Sequence, residues 1–388
     1  MQIATAASRI DPLGALLTAT GALALWLLPL VVFKANRIMP GEAQSLLALL
    51  PAWASVVVSI TLSLVALVAL LGRDPRLRLF TALAGIAILT LALAHGADLL
   101  TPAGNRVFRV APGSGFWIVL MALGLLATDA LTRLEPGPLA RVAILAVFLV
   151  ATVLALGSGL FDDLSIMREY AVNATRFAQE ARRHLLLALG SLLAAVIVAL
   201  PLGVACHREP RLRAGMLGTL NLVQTIPSIA LFGILMAPLA ALALAVPALA
   251  SLGVSGIGAA PAAIALFLYS LLPIVANTVV GLGRVPAATV DAARGMGLTA
   301  WQVLREVELQ LALPTILTGI RIVLVQNIGM VTIAALIGGG GFGAFVFQGI
   351  GQTAIDLVLL GAIPTIVLAF SAAVVLDAVT DLTRRVPR

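Results

Sequence analysis

Long apolar runs alternate with short polar segments along the whole chain. A helix crosses the hydrocarbon core of a bilayer with about 20 mostly apolar residues. Runs of that kind lie at about 13–33, 46–71, 79–97, 115–131, 142–160, 185–205, 216–246, 260–283, 317–337 and 357–376. The seventh and eighth share one charge-free stretch, 214–283, which divides at Pro247 to Pro261, where Ser251, Gly253, Ser255, Gly256 and Gly258 gather as a turn. The pattern predicts an all-α, polytopic membrane protein of about ten spans. The third run is the weakest of them. The first is too long for the apolar core of a signal peptide, and Lys34-Ala-Asn-Arg37 follows it without a small-x-small cleavage site, so it reads as a span that stays.

One polar segment carries a pattern of its own. Between Asp162 and Leu185, apolar residues fall at Leu164, Met167, Ala171, Ala174, Ala178, Ala181 and Leu185, a 3-4 spacing that places them on one helical face. Arg168, Glu169, Arg176, Glu180 and Arg183 occupy the rest, and Asp162 and Asp163 suit the helix start. The spacing predicts an amphipathic helix over 162–184, lying at the outer membrane surface or docking a partner. It also marks a seam. Residues 1–161 form a membrane extension of about five spans, and residues 185–380 hold every feature with chemical content.

Composition agrees with lipid as the solvent. Hydrophobic residues make up 61% of the 388, charged residues 11%, and mean hydropathy is +1.12; a soluble domain has about 25% charged residues. Net charge is +7, but the cations cluster between apolar runs, as topology signals do, so no nucleic-acid face is predicted. With the N-terminus inside and ten alternating spans, 15 of the 24 Lys and Arg fall on inner segments, Arg9 and Arg73 among them, and 8 on outer ones. Both termini are therefore expected inside. The single cysteine, Cys206, excludes an internal disulfide and a multi-cysteine metal site, and reads as a small buried residue. No metal site and no catalytic residue is predicted.

Residues 285–314, between the eighth and ninth runs, hold the densest local signals. Pro286 suits a first helical turn, Gly295 and Gly297 suit a helix stop, and Thr299-Ala-Trp-Gln302 is a capping box that starts a second short helix. On that helix Trp301, Leu304 and Val307 share a face, with Arg305 and Glu308 pointing elsewhere. Helix, glycine break, helix is a surface another protein can grip. An inert loop, an internal packing element and a DNA-reading motif are the competing readings.

Asp291-Ala292-Ala293, Gly297 and Val307-x-Leu309 resemble the EAA loop of binding-protein-dependent ABC importer permeases, whose pattern is Glu-Ala-Ala-x3-Gly-x9-Ile-x-Leu-Pro. Here Asp291 stands for Glu, Val307 for Ile, and Gln310 for the usual Pro, with Pro314 one turn later. The similarity extends over about 184–380. Pro201-Leu-Gly203, Gln224-Thr-Ile-Pro-Ser228 and Ile333-Ala-Ala-Leu-Ile-Gly-Gly-Gly-Gly-Phe-Gly343 resemble the osmoprotectant branch of this MetI-like group. The first half corresponds to an N-terminal extension that some such permeases have.

The resemblance implies a type I importer permease in the bacterial inner membrane. Asp291, Ala292, Ala293, Gly297, Thr299, Trp301, Leu304, Val307 and Leu309 would form a coupling element docking on an ATPase. The implied partners are two ATPase subunits, a second permease subunit, the same or different, an extracytoplasmic binding protein, and membrane lipid.

The remaining polar residues bound the mechanism. A phosphate-binding loop needs a lysine, and the only lysine, Lys34, is flanked by Phe33 and Ala35, so ATP would be used by another chain and this one binds no cofactor. Within the limits given, spans six to ten hold no Asp, Glu or His, which disfavours the alternative of an ion-coupled secondary carrier. Arg321 reads as snorkelling to the inner surface, and Asp129 and His95 as solvated positions near span ends. A non-transporting scaffold is a third reading. Asn221, Gln224, Thr225, Ser228, Asn277, Thr278, Gln326, Asn327 and Thr332 are candidates for a translocation path, or for hydrogen bonds that hold the bundle. Pro227 is expected to kink its span. Gly338, Gly339, Gly340 and Gly341 read as an outer gate or as a flexible turn. Spans six to ten contain no tryptophan and one tyrosine, Tyr269, too few for an aromatic cage around a quaternary ammonium, so recognition is expected on the binding protein.

Overall fold

The computed structural model describes residues 11–36, 39, 41–72, 74–102, 107–251 and 253–384. Arg9, Arg37, Arg73, Arg106, Arg385 and Arg388, on which part of the charge asymmetry rests, lie outside the described residues. Among the described residues nine helices are long and apolar enough to cross a membrane, and a shorter apolar one precedes them. The chain divides into two compact units, Met1–Gly137 with Val147–Val172, and Pro138–Ala146 with Asn173–Arg388.

The first unit contains α1 (Pro12–Leu27), β1 (Val31–Lys34), β2 (Glu42–Gln44), α2 (Leu46–Leu49), α3 (Ala52–Leu71), α4 (Pro75–Leu100), β3 (Arg109–Pro112) and α5 (Ser114–Leu134). Its core includes Leu17, Leu89, Val119 and Leu123, buried where α1, α3, α4 and α5 meet. Two expectations change here. The run 13–33 is not one helix: α1 ends at Leu27, and beyond Pro29 the β-branched Val31 and Val32 enter a three-stranded antiparallel sheet, ordered β2-β1-β3, that the helical reading missed. The run 46–71 is interrupted before Ala52 by Pro51. The weakest run, 79–97, lies inside the 26-residue α4.

Asp129 is not a solvated residue. It pairs with Arg78 at 3.2 Å and with Arg133 at 2.9 Å, and Asp11, the cap of α1, also binds both arginines. Arg78 is only 3% exposed. Burial alone would raise the Asp11 carboxyl, but the hydrogen bond and charge of Arg78, with the charge of Arg133, outweigh it and hold its pKa below the usual carboxylate value. Breaking a pair to a guanidinium as buried as that of Arg78 would cost about 3–5 kcal/mol, whereas Arg133, 44% exposed, contributes less. His95 is exposed, and its ring lies beside Trp53.

Two helices, α6 (Pro138–Gly157) and α7 (Ser165–Arg208), have residues in both units. The second unit continues with α8 (Pro210–Thr225), α9 (Ser228–Ala245), α10 (Pro247–Ser251), α11 (Ala259–Gly283), α12 (Ala287–Gly295), α13 (Ala300–Gln302), a π-helical segment (Val303–Glu308), α14 (Leu309–Ala334), α15 (Gly343–Gly351) and α16 (Ile355–Arg384). Its core packs Phe232, Leu266, Tyr269, Ile328 and Val331 in one cluster and Ile274, Val275, Val323 and the fully buried Cys206 in another. Arg321 does not snorkel alone: it is ion-paired with Asp377 on α16, while Arg141 pairs with Asp381 and approaches Asp377 at 3.7 Å.

The amphipathic segment and the sixth span form one unbroken helix, the 44-residue α7, about 66 Å long at the usual helical rise. Of the apolar positions on its predicted face, Leu164 is buried and Met167 and Ala181 are half-buried. Ala171, Ala174, Ala178 and Leu185 are exposed, while Arg176, Phe177 and Glu180 are half-buried and His184 is buried.

Candidate functional site

The segment after α11 folds as its caps dictate. Pro286 stands in extended conformation just before α12. That helix stops in a Schellman arrangement: the Gly297 N–H donates to the Arg294 carbonyl at 2.9 Å and the Leu298 N–H to the Ala293 carbonyl at 3.2 Å. Gly297 has φ +86, and the space where a side chain would start is open, so conformation and not crowding calls for glycine. The capping box is present. The Thr299 N–H donates to Gln302 Oε1 at 2.8 Å, and the Gln302 N–H to Thr299 Oγ1 at 3.4 Å.

The helix that starts there is not short. From Ala300 it runs through the π-helical segment into α14 without interruption to Ile337, 38 residues in all. Gln310 and Pro314 lie inside it; the proline removes one N–H from the ladder but does not end the run. The inward face is set by Val303, 1% exposed, and Glu308, 4% exposed, whose carboxylate is ion-paired with Arg208 at the end of α7. Leu304 and Leu309 are half-buried against Leu282, Ala312 and Ile316. Val307 is half-buried, and Trp301, 65% exposed, stands apart from both. The predicted common face of Trp301, Leu304 and Val307 is thus divided, because the π-helical turn shifts the register. Asp291, Ala292, Met296, Thr299 and Trp301 are exposed, while Ala293 is buried beneath them. The result is a ridge with apolar side chains at Met296 and Trp301 and a carboxylate at Asp291, rooted by Ala293, Val303 and Glu308.

The polar candidates do not converge on one surface. Gln224, Thr225 and Ser228 do not share a helical face, because the helix ends at Thr225, Ile226 is extended, and α9 begins after Pro227. Pro227 therefore breaks the span outright. Tyr269 of α11 stitches the break: its hydroxyl donates to the Ile226 carbonyl, and its own carbonyl accepts from Gln224 Nε2 at 2.9 Å. Asn221 and Thr225 are exposed, and Thr225 donates to the Leu222 carbonyl at 2.7 Å. Asn277 and Thr278 donate to carbonyls one turn earlier, and Gln326 contacts the Met330 sulfur. The Thr332 hydroxyl is buried without a hydrogen-bond partner among the described residues.

Asn327 is fully buried and joins three helices, donating to Ser191 on α7 at 3.2 Å and to Ser270 on α11 at 3.0 Å. The two serines escaped the sequence reading because only contact makes them a set.

The glycine run is ordered. Gly338, Gly340 and Gly341 have φ +77, +76 and +82. The Gly341 N–H donates to Glu180 Oε2 at 2.6 Å and the Phe342 N–H to His184 Nδ1 at 3.3 Å. A Cβ on Gly340 would lie 2.8 Å from Glu180 Oε2 and collide with Arg183.

Comparison with known proteins places both halves. Residues 189–385 match the family described as binding-protein-dependent transport system inner membrane component. Residues 11–167 match the N-terminal domain described for ABC transporter permease YehY. The osmoprotectant import permease protein OsmW of Salmonella typhimurium is 43% identical over 197 residues, 51% of this chain and 86% of its own. The glycine betaine/carnitine/choline transport system permease protein OpuCB of Bacillus subtilis is 36% identical over 213 residues, 55% of this chain and 89% of its own. An inward-facing structure of the MetNI methionine ABC transporter, 21% identical, aligns with 54% of this chain and 96% of its own at a TM-score of 0.45.

Proposed function

The chain belongs to the family of binding-protein-dependent transport system inner membrane components, and on that premise we propose that it carries a small osmoprotectant of the glycine betaine, carnitine and choline class across the membrane. It is a multi-pass inner-membrane protein and the permease subunit of an ABC importer. The observation that carries the mechanism is the exposed ridge of Asp291, Met296 and Trp301, divided at Gly297 and continuous through Ala300–Ile337 with a span. An ATPase gripping the ridge would act on that helix directly, with no flexible linker to absorb the movement. Two ATPase subunits, a second permease subunit and an extracytoplasmic binding protein complete this reading. Hydrolysis belongs to the ATPase, so the chain itself is neither an enzyme nor a cofactor carrier. The loop around Gly297 and both termini face the cytoplasm; a reporter fused after Gly297 reports inside and one near Gly256 outside.

The test is uptake into proteoliposomes holding the chain, its ATPase and its binding protein. Labelled glycine betaine, carnitine or choline accumulates only with ATP and only with both partners. Uptake driven by a proton or sodium gradient, without the ATPase, contradicts the reading.

A further inference from the structure

The helical run Ala300–Ile337 has the ridge at one end and the Gly338–Gly341 run at the other. That second end is fastened to α7. Phe342 caps α15, so its N–H and that of Gly341 lie beyond the ladder of any helix and need acceptors from elsewhere. Both acceptors are side chains one turn apart on α7, Glu180 and His184. Around them Phe177 lies 5.3 Å from Phe342 and 6.1 Å from Phe345, ring centre to ring centre, and the His184 ring lies 5.0 Å from Phe342. The Arg176 guanidinium stands 5.0 Å over Phe345 and donates to Gln348 Oε1 at 2.6 Å. Positions 176, 177, 180 and 184 fall on one helical face, which thus holds the loop and the start of α15.

We propose that Glu180 and His184 are positioning residues that latch the glycine loop to α7, and that the latch releases and re-forms in each transport cycle. The inference rests on the permease reading above. Gly338 and Gly339 bond to backbone carbonyls at the end of their own helix, whereas the loop's hydrogen bonds to α7 are made to two side-chain acceptors. Such bonds exchange readily for water or another donor, and the left-handed glycines let the backbone adopt more than one path. Because the helical run is unbroken, movement at the ridge reaches Ile337, next to the latch. The latch then keeps this end of the pathway in step with the ATPase.

The experiment uses the complete importer, with uptake and ATP hydrolysis measured on one preparation. A cysteine at Ala344, next to the loop, reports opening by its reaction with a hydrophilic maleimide. The native Cys206 is fully buried and contributes little background. Glu180→Ala lowers solute carried per ATP and speeds Ala344→Cys labelling, each by about tenfold, the shift one lost charge-assisted hydrogen bond gives a two-state equilibrium. Glu180→Gln, whose amide oxygen can still accept the Gly341 N–H, stays within about threefold of the parent on both readouts. Unchanged stoichiometry and labelling in Glu180→Ala, or a Gln variant as defective as the Ala one, overturns the proposal. If Glu180→Ala does not reach the membrane, His184→Leu decides by the same two readouts. Absence of ATP-driven uptake in the parent would defeat the permease reading instead, leaving the labelling rates to judge the latch.

Discussion

The two glycine turns that bound the run Ala300–Ile337 are chemically alike and physically opposite. Gly297 and Gly340 both adopt left-handed backbone, at φ +86 and +76. Around Gly297 there is open space, while around Gly340 the side chains of Glu180 and Arg183 close in. One turn is open, and the other is packed into its own fold. The same residue type therefore stands at an open surface at one end of the helix and at a contact made by the fold's own side chains at the other. Burial and not sequence distinguishes them.

Substitutions can break that contrast or sharpen it. The largest effect is expected at the packed turn. Gly340→Val combines left-handed strain of about 1–2 kcal/mol with overpacking of about 1–3 kcal/mol. It lowers the melting temperature of the purified chain and abolishes uptake. If melting is unchanged, the loop is not packed as described.

Next in size is the root of the ridge. Glu308 is buried against Arg208, and Glu308→Leu leaves that half-exposed arginine without its carboxylate while removing a buried charge. A net loss of about 1–2 kcal/mol in thermal stability is expected, together with weaker ATPase retention. A variant more stable than the parent with normal retention would show that the ion pair does not root the ridge.

At the open turn, Gly297→Ala costs about 1 kcal/mol, because only the backbone conformation objects. A loss as large as that of Gly340→Val would mean the turn is packed after all. Smallest is Asp291→Ala. Its side chain is 73% exposed and its pairing with Arg294 is 3.8 Å long, so melting should not move, and only a modest fall in uptake is expected.

How much of this was legible depended on the kind of signal. The spans were legible because lipid demands long apolar runs, and the turn at Gly297 and the Thr299–Gln302 box were legible because caps are local. The ion network was not: Arg78 and Asp129 lie 51 residues apart, and nothing in either neighbourhood names the other. The polar contacts of α7 were not legible for a different reason. Periodicity marks an apolar face made mostly of alanine methyls, and burying a methyl gains only about 0.8 kcal/mol. Leaving the Gly341 and Phe342 N–H groups without acceptors would cost more, about 1–3 kcal/mol each, so Glu180 and His184 turn inward. Proline breaks were read too weakly. Pro227 ends a helix where a kink was expected, because Tyr269, 43 residues from Ile226, caps the freed carbonyl.

On the proposed reading, the ATPase grips the ridge around Gly297. Gly297→Asp tests it most directly, with solute uptake in cells measured beside the amount of ATPase that co-purifies with the chain. Open space around Gly297 means the aspartate is accommodated in the fold, so the chain reaches the membrane at the parent's level. Uptake is then lost together with the ATPase. Full uptake with normal ATPase retention would contradict the claim, and with it the assignment of this loop as the coupling element.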